Sequence, residues 1–406
     1  MKCVELFAGA GGLAMGVHLA GFEPQAVVEW DKWACDTIRE NGARGYPLVA
    51  GWNVHEGDVR GYDWGSLGQN LDLIAGGPPC QPFSMGGKHR AYDDSRDMFP
   101  ATVGIVRQLR PRAFILENVK GLTRSTFANY YQYILLQLTF PEIVRRKRED
   151  WSEHFRRLQK ERASGESVGK DLTYNVVPTL VNAADYGVPQ KRERVFIVGF
   201  RSDLGIEWAF PRATHGLDAL LHDQWVSGAY WERHGIAKRN RPQMPEKFAP
   251  RVRGLSDDLF PPITLAWRTV RDALVGLPDP ESAVAKDIPD HRYQAGARVY
   301  PGHTGSPLDL PAKTLKAGDH GVPGGENMLI KEDGCARYFT VREAARIQTF
   351  PDGYQLHGSW TETMRQLGNA VPVMLGRIVA SSVAEKLLLA KGRELSRLML
   401  GARNVA

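Results

Sequence analysis

Cysteine is scarce in this chain: among 406 residues there are four, Cys3, Cys35, Cys80 and Cys335. They form no C-x-x-C pair and no cluster with histidine, which excludes a zinc module of ordinary spacing and a disulfide framework. No metal is expected, and a cysteine that matters here matters as a thiol. Long hydrophobic runs are lacking too. No stretch approaches the roughly 20 apolar residues of a membrane helix, so no membrane partner is expected. The opening Met1-Lys2-Cys3-Val4-Glu5-Leu6-Phe7 puts an acid where a signal peptide needs apolar residues. It reads as a buried strand, and a cytoplasmic location is expected. Internal repeats and low-complexity tracts are missing. Charge of one sign is in small excess, 52 Lys and Arg against 46 acids, or +6. That tilt suits a polyanionic partner without requiring one. With 43% hydrophobic and 24% charged residues, wholesale disorder is excluded. The length allows two or three domains.

What is present is first an alternation. Apolar runs at 4–7, 26–29, 71–75 and 113–117 predict buried strands, and helical spacing at 12–20, 33–41 and 98–109 separates them. The spacing predicts an α/β fold with a mostly parallel sheet and helices on both faces. Two more strands are predicted at 176–181 and 194–200. A charged insert at about 141–172 contains Arg145-Arg146-Lys147-Arg148 and reads as a solvated helical face. From 201 to about 310 the alternation fades into a loop-rich lobe with frequent Trp, Pro, Arg and His. Regularity resumes at 340–347, and a long helix is predicted over 373–400. The expected division is 1–200, 201–335 and a segment 336–406 that returns to the first domain.

Three strand ends carry chemistry. Phe7-Ala8-Gly9-Ala10-Gly11-Gly12 follows the first strand and opens a helix, where glycines allow a tight turn and close ligand approach. Alone it is also an ordinary turn. Glu29 ends the second strand, where a carboxylate commonly binds ribose hydroxyls, and Trp30 beside it suits an adenine ring. Asp58, at the end of the third strand, suits the adenine amino group. Together they point to an adenosine-bearing cofactor. After the fourth strand, Gly76-Gly77-Pro78-Pro79-Cys80-Gln81-Pro82-Phe83-Ser84 forms a stiff loop with one thiol, an unfavourable place for an inert core cysteine. The fifth strand ends in Glu117-Asn118-Val119, a candidate acid opposite that thiol.

These motifs, in this order, resemble the DNA (cytosine-5) methyltransferases. So do Gln190-Lys191-Arg192-Glu193-Arg194, the stretch 340–351, and Gln366-Leu367-Gly368-Asn369-Ala370-Val371-Pro372. The resemblance implies a Rossmann-like S-adenosylmethionine-dependent fold. It also implies S-adenosylhomocysteine as product and a target-recognition domain between Arg194 and Thr340. By motif, Phe7, Gly9, Gly11, Leu13, Glu29, Trp30, Asp58, Val59, Asn369 and Val371 are expected around the cofactor.

The resemblance further implies that Cys80 adds to carbon 6 of cytosine and makes carbon 5 electron-rich. Arg192 is the candidate for favouring its thiolate, since a free thiol is only a few per cent ionised near neutrality. Glu117 is expected to serve N3 as a neutral acid with a raised pKa, and Arg194 to bind O2. The target base must leave the stack. Gln81, Ser84 and Asn118 are expected to contact DNA, and Lys88, Arg90 and Arg96 of the loop 84–96 to contact phosphates. Duplex DNA is therefore the expected partner of a chain acting as a monomer. Two alternatives are a tRNA cytosine-5 methyltransferase and an inactive DNA-binding homologue. The large lobe speaks against the first, and the presence of Cys80, Glu117, Arg192 and Arg194 against the second.

Overall fold

The structure is a computed structural model that describes residues 1–68, 70–79, 97–164, 172–301, 304–317 and 327–403, with side chains through 393. The chain divides into two compact units. Unit 1 comprises Met1–Val181, Glu193–Pro211 and Gly376–Ala406; unit 2 comprises Asn182–Arg192 and Arg212–Leu375. The cut differs from the expected one: 182–192 and 336–375 group with the lobe, not with the sheet domain.

Unit 1 is built on strands β1 (Lys2–Leu6), β2 (Glu23–Glu29), β3 (Val54–Glu56), β4 (Leu73–Gly76), β5 (Ala113–Val119), β6 (Tyr174–Asn182) and β7 (Glu193–Arg201), in spatial order β3-β2-β1-β4-β5-β7-β6. The pairs β1–β2, β1–β4, β2–β3 and β4–β5 are parallel, while β7 runs antiparallel to β5. Helices α1 (Gly12–Leu19), α2 (Lys32–Ala43), α3 (Phe99–Leu109) and α4 (Ala128–Thr139) fall between strands. Such crossovers bury both faces of the sheet, which is why β1, β4 and β5 read as near-continuous apolar runs. One face contributes Val4, Leu6, Ile74, Phe114, Leu116, Val195 and Ile197 to a single core. Close backbone approach fixes Gly76: a Cβ there would lie 2.4 Å from the Leu6 carbonyl oxygen.

The charged insert folds as α5 (Trp151–Ser164). It is a solvated helix on one side only. His154, Phe155 and Leu158 are buried, and the Tyr133 hydroxyl of α4 lies 2.8 Å from His154 Nδ1.

Unit 2 has short elements: β8 (His215–Gly216), α6 (Leu217–Leu221), α7 (Ala229–Arg233), α8 (Ala249–Asp257), β9 (Leu265–Ala266), α9 (Val270–Leu274), β10 (Ser306–Pro307), β11 (Met328–Ile330), β12 (Ala336–Tyr338), α10 (Val341–Ile347) and α11 (Trp360–Asn369). Buried Leu220, Tyr230 and Trp231 anchor part of it. Thr340 caps α10 in a reciprocal box with Glu343, whose carboxylate also takes both terminal nitrogens of Arg337 at 2.6 Å. The last helix, α12 (Val373–Arg403), extends the predicted 373–400. Within unit 1 it packs closely on α1, a Cβ at Gly376 falling 3.2 Å from Leu13 Cδ1.

Candidate active site

The parallel strands of unit 1 end on one edge, and hydrogen bonds tie those ends together. Leaving β1, the backbone turns sharply, with φ of 55° at Phe7, 52° at Gly9 and 86° at Gly11. A positive φ at phenylalanine is rare and such strain concentrates at functional sites. Gly9 N–H then donates to Glu29 Oε2 at 2.8 Å, while Trp30 and Asp31 N–H donate to Oε1 at 2.9 and 2.8 Å. Burial pushes the Glu29 carboxyl up from its ordinary value, and the three N–H donors pull against that rise. A carboxylate has about four acceptor positions, so roughly one remains for a ligand. Gly57 N–H binds the Glu29 carbonyl at 2.8 Å, which brings the end of β3 alongside.

Beside this knot Trp30 is 75% exposed, an unusual state for a tryptophan. Asp58 is nearby in sequence to Gly57, but it is not idle. It caps the turn by accepting Arg60 N–H at 2.8 Å and holds the Arg60 guanidinium, which keeps its carboxyl below the usual range. By the same count about one acceptor position of Asp58 is left for an adenine amino group beside Arg60, a partner that sequence reasoning missed. Leu13 and Val59 are buried, so their side chains brace this edge from inside.

Further along the edge, Asn118 is buried and its amide donates to the Pro78 carbonyl at 2.9 Å. The side chain, expected at DNA, holds the proline loop. Met98 N–H donates to the Pro79 carbonyl at 3.2 Å. Cys80, Gln81, Ser84, Lys88, Arg90 and Arg96 lie outside the described residues. Two of the other thiols offer poor nucleophiles. Cys3 and Cys35 are buried, and burial pushes Cys3 well up and Cys35 to about 12. Cys335 is exposed, in unit 2.

Glu117 and Arg194 meet because of register. Antiparallel pairing sets Glu117 opposite Phe196 and Val119 opposite Arg194, so both charged side chains lie on one face of the sheet. Arg194 Nε is 2.8 Å from Glu117 Oε1, with side chains 11% and 9% exposed. Desolvation lowers the Arg194 pKa, and the adjacent carboxylate opposes that fall. The isolated neutral acid expected at Glu117 is thus half of a buried ion pair. Gly77 leaves room beside it, a Cβ there lying 3.4 Å from Glu117 Oε2.

Arg192 has a structural role that the sequence did not show. It belongs to unit 2 and is fully buried. Nη1 donates to the Leu315 carbonyl at 3.0 Å, and Nη2 to those of Gly368 and Ala370 at 2.7 and 2.9 Å. A guanidinium enclosed this way clamps backbone; Cys80, the thiol it was expected to favour, lies outside the described residues. Asn369 and Val371 sit on the clamped turn, Asn369 exposed and Val371 buried. Gln348, overlooked in the sequence, donates to the carbonyls of Leu367 and Ala370 in the same turn.

Among known proteins, the chain matches the C-5 cytosine-specific DNA methylase family over residues 1–140 and 166–385. It is similar to the type II methyltransferase M.PspPI of Psychrobacter sp., with 30% identity covering 95% of this chain and 79% of the relative. With M.NgoPII of Neisseria gonorrhoeae the identity is 29%, covering 95% and 96%. It shares its fold with a putative DNA modification methyltransferase encoded within an E. coli prophage (TM-score 0.56, 20% identity, 95% and 99% covered) and with S. pombe Dnmt2 (TM-score 0.52, 16% identity, 95% and 98% covered). The match spans most of the chain and takes in every motif from the glycine turn to the Gly368–Pro372 turn: this chain belongs to the C-5 cytosine-specific DNA methylase family.

Proposed function

We propose that the chain is the modification methylase of a restriction-modification pair, acting on a cytosine swung out of one specific duplex DNA sequence. The observation that carries the reading is the buried Glu117–Arg194 pair at the strand edge that also bears the Pro78–Pro79 loop. Glu29 and Trp30, with the turn at Gly9 and Gly11, suit the adenosine of S-adenosylmethionine, since they offer one open carboxylate position and one exposed aromatic face. When bound, that cofactor supplies the methyl group.

The protein's own residues do the rest. The Cys80 thiolate forms a bond to carbon 6, and the displaced electron pair moves through the ring to N3 and O2. Arg194 receives the charge at O2, and Glu117 delivers a proton to N3. Because Glu117 is paired with Arg194, it takes that proton from solvent water as the base docks. The enamine so formed is electron-rich at carbon 5. Once carbon 5 carries the methyl group, N3 returns its proton to Glu117, and loss of the carbon 5 proton to water expels the Cys80 sulfur and restores the ring. Arg192 acts as a positioning residue through the turn that carries Asn369 and Val371.

The test uses a duplex with 5-fluorocytosine at the target. Fluorine cannot leave as a cation, so elimination is blocked after methylation. A denaturant-resistant protein–DNA adduct is expected only with S-adenosylmethionine present, and it is lost in Cys80→Ala but kept in Cys3→Ala, Cys35→Ala and Cys335→Ala. An adduct mapped to another cysteine, or methylation by Cys80→Ala, overturns the mechanism.

A further inference from the structure

The charged insert has no place in the reading above, and most of it lies outside the family match, which skips residues 141–165. Its first turn sorts its charges. All three acids of 141–150 are engaged within the unit: Glu142 pairs with Arg110 at 3.2 Å, Glu149 with Arg157 at 2.8 Å, and Asp150, though exposed, accepts the Ser152 hydroxyl and Glu153 N–H. His154 Nε2 at 2.7 Å from the Ile143 carbonyl, and Arg157 on the Val144 carbonyl, fix the backbone. Arg146, Lys147 and Arg148 are exposed, and among the described residues their side chains have no ionic partner. A loop held this firmly, with its acids engaged by local partners and three cations left turned out, is arranged to meet an anion.

The Arg110–Glu142 contact connects this loop to a groove of about 500 Å³ in the same unit, where Lys2, Arg110, Arg112, Arg201 and Lys391 gather around Asp72, Arg110 being paired also with Glu142 and Arg201 with Asp203. The groove lies at the amino ends of β1, β4 and β5, the reverse of the edge bearing Glu29 and Glu117. The seven residues of β5 separate the two edges by about 20 Å at roughly 3.3 Å per residue. A duplex segment engaged at the Glu117 edge and the cations thus lie on opposite edges of the sheet.

We propose that the 144–148 loop and the adjoining groove form a second DNA-binding surface, which grips the phosphates of a duplex segment other than the one being methylated. The choice of DNA rests on the proposed function, because a DNA-modifying chain meets long duplexes carrying regular phosphate charge. The surface adds affinity for long DNA without reading sequence.

The test combines Arg146→Gln, Lys147→Gln and Arg148→Asn in the full chain, asparagine being chosen because position 148 has φ of 74°. Binding to a long duplex lacking target sites is measured from 50 to 200 mM salt, and methylation on a short duplex just covering the target. Each lost phosphate contact lowers the slope of log K against log salt by about 0.9, so three lower it by about 2.7. At 0.1 M salt the affinity is expected to fall at least roughly tenfold, with kcat and KM on the short duplex unchanged. An unchanged slope overturns the proposal, as does an equal loss on the short duplex, which would place the loop at the target itself. Loss of polyglutamate binding with duplex binding intact assigns the face to an acidic protein and also overturns it. A lowered slope in a chain that methylates nothing leaves this surface standing and removes the proposed function, so the two fail separately.

Discussion

Replacing Glu29 tests the cofactor site most directly. Its carboxylate collects three backbone N–H groups from two strand ends and leaves about one acceptor position for a ligand hydroxyl. The direct loss in Glu29→Ala is therefore one charge-assisted hydrogen bond, about 1.5–3 kcal/mol, or roughly 10- to 150-fold in S-adenosylmethionine affinity. The cost to the turn comes on top, because Gly9, Trp30 and Asp31 lose their common acceptor. Glu29→Gln separates the two contributions. Its amide keeps one oxygen for the paired Trp30 and Asp31 donors but sets an NH2 against Gly9 N–H. It is expected to bind as weakly as the alanine variant while melting closer to the parent. Trp30→Ala is the companion, since a side chain 75% exposed contributes little to the fold. Lost stacking should cost about 1–3 kcal/mol of affinity with no change in melting. Titration calorimetry on each variant, with circular dichroism confirming the fold, reads all of these. Unchanged affinity in both Glu29→Ala and Trp30→Ala removes this strand end from the cofactor site.

Three further outcomes follow from buried groups. Arg194→Ala leaves Glu117 without its guanidinium and should destabilise the fold by about 3–5 kcal/mol in urea denaturation, against a smaller loss in the double variant with Glu117→Gln; equal losses would mean the pair is not coupled. Glu5 is 1% exposed, one carboxyl oxygen has no hydrogen-bond partner, and burial raises its pKa well above the ordinary value. The folded state therefore keeps a proton that the unfolded chain loses near pH 4.3, and stability falls as pH rises from there toward the raised pKa, by about 1.4 kcal/mol per unit. Glu5→Gln should thus stabilise the protein more at pH 8 than at pH 5, and a gain independent of pH would refute it. Gly76→Ala forces a methyl against the Leu6 carbonyl oxygen and should cost about 1–3 kcal/mol in melting experiments, whereas Gly9→Ser, in open space but at positive φ, strains only its own backbone.

Legibility followed the range of the interaction. The strands at 4–7, 71–75 and 113–117 could be read because burial on both faces demands consecutive apolar residues, and β1, β4 and β5 lie in the middle of the sheet. The same signal hid Glu5, whose charge sits inside such a run and whose burial only the packing reveals. Glu29 was legible because its place at a strand end is local. Its three donors were not, since Gly9 comes from another strand. Asp58 shows the opposite failure: Arg60 lies two residues away, yet nothing in the sequence says that it folds back onto the carboxylate rather than into solvent. The insert was half legible. Its charge is plain in the composition, but the engaged acids and outward cations depend on partners at Arg110 and Arg157.

The two arginines of Gln190-Lys191-Arg192-Glu193-Arg194 show where sequence reasoning stops. Two residues apart, they would share one face of an extended strand, and a common role at one site is the natural reading. But β7 begins only at Glu193. Before it, the Asn182 side chain accepts Arg192 N–H at 3.2 Å, and Arg192 gives its carbonyl to Ala183 N–H at 2.9 Å. That local pairing keeps Arg192 with the 182–192 segment, where three carbonyls from Leu315, Gly368 and Ala370 enclose it. Arg194, inside the strand, obeys the register and meets Glu117. What separates a backbone clamp from a candidate catalytic cation is thus the residue at which the strand starts, and strand starts are set by hydrogen bonds to a distant partner, β5, rather than by the five residues of the motif.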